Sequence, residues 1–161
     1  MRMKKLVIGT VILFLAVATA KKSEAQVRLN VNINIGSQPA WGPVGYDYVE
    51  YYYLPDIECY YYVPTRQFIY LSGSRWVFAY SLPYRYRSYD LYTGYKVVIN
   101  EPGAYLHFSS DKVRYVGFRS NRSQVIIRNS NEPKYFVVKG HPKYNGHDNG
   151  NHNGQYKHRR H

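Results

Sequence analysis

A single cysteine, Cys59, stands in the whole chain, so no internal disulfide can form, and stability has to come from packing and backbone pairing. Acidic side chains are scarce, ten against 22 Lys and Arg. Long apolar runs are also missing: the one continuous stretch, Leu6 to Ala18, is about 13 residues, short of the roughly 20 needed to cross a bilayer. No segment sustains a helical hydrophobic period. There is no glycine-rich phosphate loop, no nucleophile elbow and no metalloprotease helix. Only His107 lies outside the histidine-rich end, so a histidine-based catalytic or metal constellation in the body of the chain lacks its second member.

What is there begins with Arg2, Lys4 and Lys5 ahead of that short apolar run, followed by small and polar residues. This layout is that of a secretory signal peptide over residues 1–25. Two small-x-small sites fit, ending at Ala20 and Ala25. The second is preferred because it leaves Gln26 as the new terminus, whereas the first places Lys21 and Lys22 directly after the cut. An uncleaved anchor is the competing reading. Export to the periplasm, the outer membrane or the medium is the expected localisation, with no transmembrane segment after signal removal.

The formal charge of +12 is unevenly spread. Residues 26–118 hold eight basic against seven acidic side chains, and residues 119–161 hold nine against two. The basic excess is therefore a property of the C-terminal end, and no nucleic-acid partner is expected of an exported protein with that distribution.

Residues 26–139 read as one tyrosine-rich, mainly β domain of short antiparallel strands and hairpins. "VRLNVNINI", residues 27–35, alternates apolar and polar throughout, the pattern of a half-buried strand. Residues 36–45 read as a loop holding Trp41. "YYYLP", "YYYVP" and "AYSLP" are aromatic and β-branched runs stopped by Pro55, Pro64 and Pro83. "QFIYLSGSRWVFAY" reads as a hairpin around Ser72-Gly73-Ser74. An even loop pairs Leu71 with Trp76; an odd one pairs Tyr70 with Trp76. Residues 83–94 read as a long loop with room for a helical turn, and "YKVVIN" as a strand. Residues 104–118 are either a hairpin or a short helix capped by Ser110. "QVIIR" and "KYFVV" read as a last strand pair. From Gly140 to His161 the chain is rich in His, Asn and Gly, nearly free of apolar residues and expected to be disordered.

Twenty tyrosines are spread over nearly every predicted element, which marks them as sheet material, since Tyr favours strands and buries its ring while its hydroxyl stays wet. A catalytic Tyr needs a partner that lowers its pKa, and no Lys or His adjoins those of residues 51–62. Asp56 and Glu58 read as a turn after Pro55, or else as a carboxylate pair on one strand face. Cys59, beside Glu58, reads as a buried, unreactive thiol. No catalytic residue is assigned and no cofactor is expected. The binding candidates are Arg85, Tyr86, Arg87 and Tyr89, in a segment where guanidinium groups and aromatic rings alternate; Lys96 follows in the same stretch. Such a mixture suits an envelope glycan, lipopolysaccharide or an envelope protein. A second reading is weak transition-metal binding through His141, His147, His152, His158 and His161, whose spacing sets no geometry. A third is a hydrolase whose site the sequence does not display. Oligomeric state stays open.

"YYYLPDIECYYYVPTRQFIYLSGSRWV", "SLPYRYRSYDLYTGYKVVINEP" and "VIIRNS" followed by "KYFVVKGHPKY" together resemble small tyrosine-rich exported proteins of Bacteroidota that have no established function. The resemblance spans most of residues 46–144. It implies a periplasmic or outer-envelope address and carries no catalytic or ligand residue with it.

Overall fold

The computed structural model describes residues 33–145. The expected signal peptide, most of the predicted strand at 27–35 and the end of the predicted tail lie outside them. Within them the protein is mainly β: five short strands form one antiparallel sheet, accompanied by one short α-helix. The strands are β1 (Tyr51–Leu54), β2 (Cys59–Tyr62), β3 (Gln67–Ser72), β4 (Arg75–Ala79) and β5 (Val97–Ile99), in the spatial order β4-β3-β2-β1-β5.

The tyrosine runs have a positional reason. β1 and β2 occupy the middle of the sheet and both of its faces are covered, so every residue of β1 is buried and no apolar-polar alternation survives. One face packs Tyr52, Leu54, Cys59, Tyr61 and Phe68 against Trp41. The other packs Tyr51, Tyr53, Tyr60 and Ile69 against Ala104, Tyr105 and Phe108. Cross-strand ring pairs bind the two strands, Tyr51 stacking on Tyr62 at 4.6 Å and Tyr53 meeting Tyr60 at 4.9 Å between centroids. A buried hydroxyl needs a partner, and three fully buried tyrosines have one: Tyr52 donates to Gln38 Oε1 at 3.0 Å, Tyr60 to Asp111 Oδ2 at 2.8 Å, and Tyr135 accepts from the Gly45 amide at 2.7 Å.

Three hairpins build the meander. The first two have four-residue loops whose last residue is left-handed, Glu58 at φ 53° and Arg66 at φ 58°. Pro55 opens its loop while Pro64 is second in its own, so the similar "YYYLP" and "YYYVP" pieces are out of phase and are no structural repeat. The third hairpin pairs Leu71 with Trp76 and Ser72 with Arg75, so the two-residue, even loop is the one formed. Gly73 takes φ 60° at its first central position, as a type II′ turn requires.

After β4 the chain crosses one face of the sheet, laying Leu82, Tyr86, Tyr89 and Leu91 on it, and returns as β5 on the far side of β1. It then crosses the other face through a 3-10 turn, Ala104–His107, and α1, Phe108–Arg114. The helical alternative for 104–118 is thus the one realised. Its N-cap is His107, with no side-chain cap, and Ser110 lies inside the helix.

Two other expectations are corrected. Residues Ile33 to Ile35 do not continue a strand: Ile35–Ser37 is a 3-10 turn and Asn34 is turned inward to bond the backbone at Val49. "QVIIR" and "KYFVV" do not pair with one another. Residues 125–128 run beside residues 40–44, joined by Val44 N–H to Val125 O, Ile127 N–H to Gly42 O and Arg128 N–H to Ala40 O. Pro39 and Pro43 deny that pairing a full ladder. Residues 133–135 form a 3-10 turn whose Tyr135, with Val138, buries against Ala40 and Ile127.

Candidate functional site

The four binding candidates divide into two kinds. Pro83 leads into a 3-10 turn, Tyr84–Tyr86, in which residues three apart eclipse, and the Arg87 guanidinium accordingly lies 4.4 Å from the Tyr84 ring centroid. Arg85 lies over the Tyr86 ring at 4.7 Å. Arg85 and Arg87 are exposed, and Tyr84, 79% exposed, stands out beside them. Tyr86 and Tyr89 instead turn toward the sheet and pack on the core. The Tyr89 hydroxyl donates to Asp56 Oδ2 at 2.9 Å; burial and that acidic partner push its pKa well up. The candidates therefore comprise two exposed guanidinium groups and two rings that anchor the segment.

Arg85 opens onto a groove of about 390 Å³, walled on one side by Pro83 and Tyr84 and on the other by Tyr70 to Gly73 at the tip of the β3–β4 hairpin. Sequence reasoning missed the hairpin wall. Its residues precede Arg85 by at least a dozen positions, and only the return of the chain across the sheet brings them together. Among the described residues no carboxylate lies within ion-pair distance of Arg85 or Arg87. The groove rim thus carries uncompensated positive charge next to an exposed aromatic ring.

Lys96 has a different place from the one its neighbours suggested. It is 1% exposed, its Nζ donates to Leu91 O at 2.9 Å, and burial lowers its pKa to about 8. It belongs to the support of the loop, not to the groove.

Asp56 and Glu58 form the turn expected after Pro55, and both carboxylates are occupied. Asp56 pairs with Arg122 at 2.8 Å and accepts the Ser120 amide at 2.7 Å. Glu58 pairs with Lys112 at 3.0 Å and with Arg119. These contacts staple residues 119–122 to the β1–β2 loop and leave no open carboxylate pair.

Cys59 is buried, its thiol directed at Ile57 O at 3.4 Å, and its pKa is pushed up to about 12, chiefly by burial. The tyrosines move the same way: burial raises Tyr51 to about 12 and Tyr52, Tyr53 and Tyr60 further. A nucleophile or base working near neutrality needs the opposite shift.

His141 belongs to the folded region, contrary to its expected place in a tail beginning at Gly140. It is 5% exposed, with Nε2 2.9 Å from Ser130 O and Nδ1 accepting the Lys143 amide at 3.0 Å. Both ring nitrogens are engaged, which removes it from the metal set. His147, His152, His158 and His161 lie outside the described residues. Among the described residues no three His, Cys, Asp or Glu side chains converge on a metal-sized site. No described helix is long and apolar enough to cross a membrane.

Compared with protein-family models, with curated proteins and with solved structures, the chain matches none of them.

Proposed function

We propose that this is an exported, non-catalytic binding protein of the cell envelope that holds an anionic ligand, a phosphate- or carboxylate-bearing glycan, through the groove beside Arg85. The observation that carries the reading is Arg85 at the mouth of a groove of about 390 Å³ beside exposed Tyr84, with Arg87 over the Tyr84 ring and neither guanidinium paired with an acid among the described residues. Guanidinium groups match planar anions with paired hydrogen bonds, and an exposed ring offers a flat apolar face to a sugar. Lipopolysaccharide phosphate and acidic envelope polysaccharide have this chemistry. The upward shifts at Cys59 and the core tyrosines favour binding over catalysis, because they hold those groups in their protonated, unreactive forms.

The test compares native protein with Arg85→Ala, Arg87→Ala and the double variant for retention of lipopolysaccharide and of a neutral polysaccharide. Retention of the anionic ligand should fall stepwise with each charge removed and weaken with added salt. Equal retention by the double variant and the native protein would reject this surface. Terminal sequencing of the mature protein checks export separately and should begin at Gln26.

A further inference from the structure

We propose that the protein self-associates by antiparallel pairing of β4 with β4 of a second copy, joining two five-stranded sheets across a two-fold axis at Val77. Other strand ends in the sheet are closed by side-chain amides. Asn34 bonds both backbone groups of Val49, Nδ2 donating to the carbonyl at 2.6 Å and Oδ1 accepting the amide at 2.9 Å. Asn100 does the same across Glu50 N–H, at 2.8 Å, and Tyr48 O, at 3.3 Å. Gln124 closes the chain just before β5, through Lys96 N–H at 3.0 Å and Lys96 O at 2.9 Å. In each case a side-chain amide stands in for the next strand.

β4 has no such cover. It is the last strand on its side of the sheet, and among the described residues no hydrogen bond reaches its outer edge. The two-residue loop makes Ser72 and Arg75 a hydrogen-bonded pair, so alternation turns Arg75, Val77 and Ala79 toward β3. The amides and carbonyls of Trp76 and Phe78 therefore face outward. The usual protections are also missing: β4 has no proline, no lysine and no bulge, and Phe78 is 49% exposed with Tyr80 beyond it at 78%.

A second copy fits this edge better than an unrelated strand for reasons of register and charge. An axis at Val77, the central residue of the strand, overlaps all five residues. It places Trp76 opposite Phe78 of the second copy, so the outward backbone groups meet one another and the two rings form cross-strand aromatic pairs. The only charge on the strand, Arg75, then faces Ala79 instead of its own image. Like charges do not meet.

Sedimentation of the mature protein over a dilution series should show a dimer that dissociates on dilution. Phe78→Lys should be monomeric over the same range with an unchanged circular dichroism spectrum, since that side chain is half exposed. Register is read by disulfide formation. Val77→Cys should cross-link rapidly, because a non-hydrogen-bonded antiparallel pair brings Cα atoms to about 4.5 Å, within disulfide reach. Arg75→Cys should not, its image lying several residues away along the strand. A monomer at every concentration, a dimer that survives Phe78→Lys, or cross-linking of Arg75→Cys as fast as Val77→Cys would each overturn the proposal.

Discussion

Replacing Asn34 with alanine should cost far more than an unremarkable surface position suggests. The side chain is only half buried, but it satisfies both backbone groups of Val49, a residue enclosed completely where the chain enters β1. Alanine deletes both partners and supplies none. A buried backbone group left unpaired costs about 1–3 kcal/mol, and two are orphaned; water entering beside the half-exposed site recovers part, leaving a net loss of about 2–4 kcal/mol. Against a total stability of about 5–15 kcal/mol for a domain, that is a large fraction. Urea unfolding followed by the fluorescence of Trp41 and Trp76 should show a lower midpoint with an unchanged slope. Asn34→Asp sharpens the test. It keeps the acceptor for the Val49 amide but turns a carboxylate oxygen toward the Val49 carbonyl, so at neutral pH it should lose at least as much as alanine. If Asn34→Ala stays within about 0.5 kcal/mol of the parent, the usual range for an uninvolved surface position, the amide does not function as a strand substitute.

Alkaline titration should show two opposed phases. Lys96 has a lowered folded pKa, about 8 against 10.5, so the unfolded chain holds its proton longer and stability rises with pH across that interval. Tyr51, Tyr52, Tyr53, Tyr60 and Tyr89 have raised folded pKa values, so above pH 10 the unfolded chain ionises first and stability falls. Cys59, raised from 9 to about 12, costs stability from about pH 9 and offsets the Lys96 gain there, so melting temperature should climb from about pH 8, level off near pH 9 and drop beyond pH 10. Lys96→Met should remove the climb, and a climb undiminished in that variant would acquit Lys96. Cys59 should resist a thiol reagent at neutral pH until denaturant unfolds the sheet, and labelling at the rate of a free thiol in native buffer would contradict its burial. Truncation after Asn145 should abolish retention on a nickel resin, whereas His141→Ala should leave retention intact and lower thermal stability; the reverse pattern would return His141 to the metal set.

The sequence by itself determined the kind of structure and the position of its turns. Proline and glycine stop strands for local reasons, so Pro55, Pro64 and the Ser72-Gly73-Ser74 stretch mark their hairpins without help from the rest of the chain. It also identified the tyrosines of residues 51–62 as construction material, because no Lys or His adjoins them. Tertiary structure decided everything that depends on what lies across the sheet. Lys96 and Arg85 look alike in sequence, yet the crossover buries one on Leu91 O and leaves the other at a groove. His141 reads as part of a polar tail, but Ser130 and Lys143 draw it into the fold. "QVIIR" and "KYFVV" have strand composition and do not pair, because β propensity reports how well side chains suit a half-buried surface, and the surface available to them was the proline-broken segment at 40–44. The edge amides show the same division most plainly. Nothing local distinguishes Asn34, Asn100 or Gln124 from other polar residues; a strand end acquires a partner only when the chain has folded back beside it.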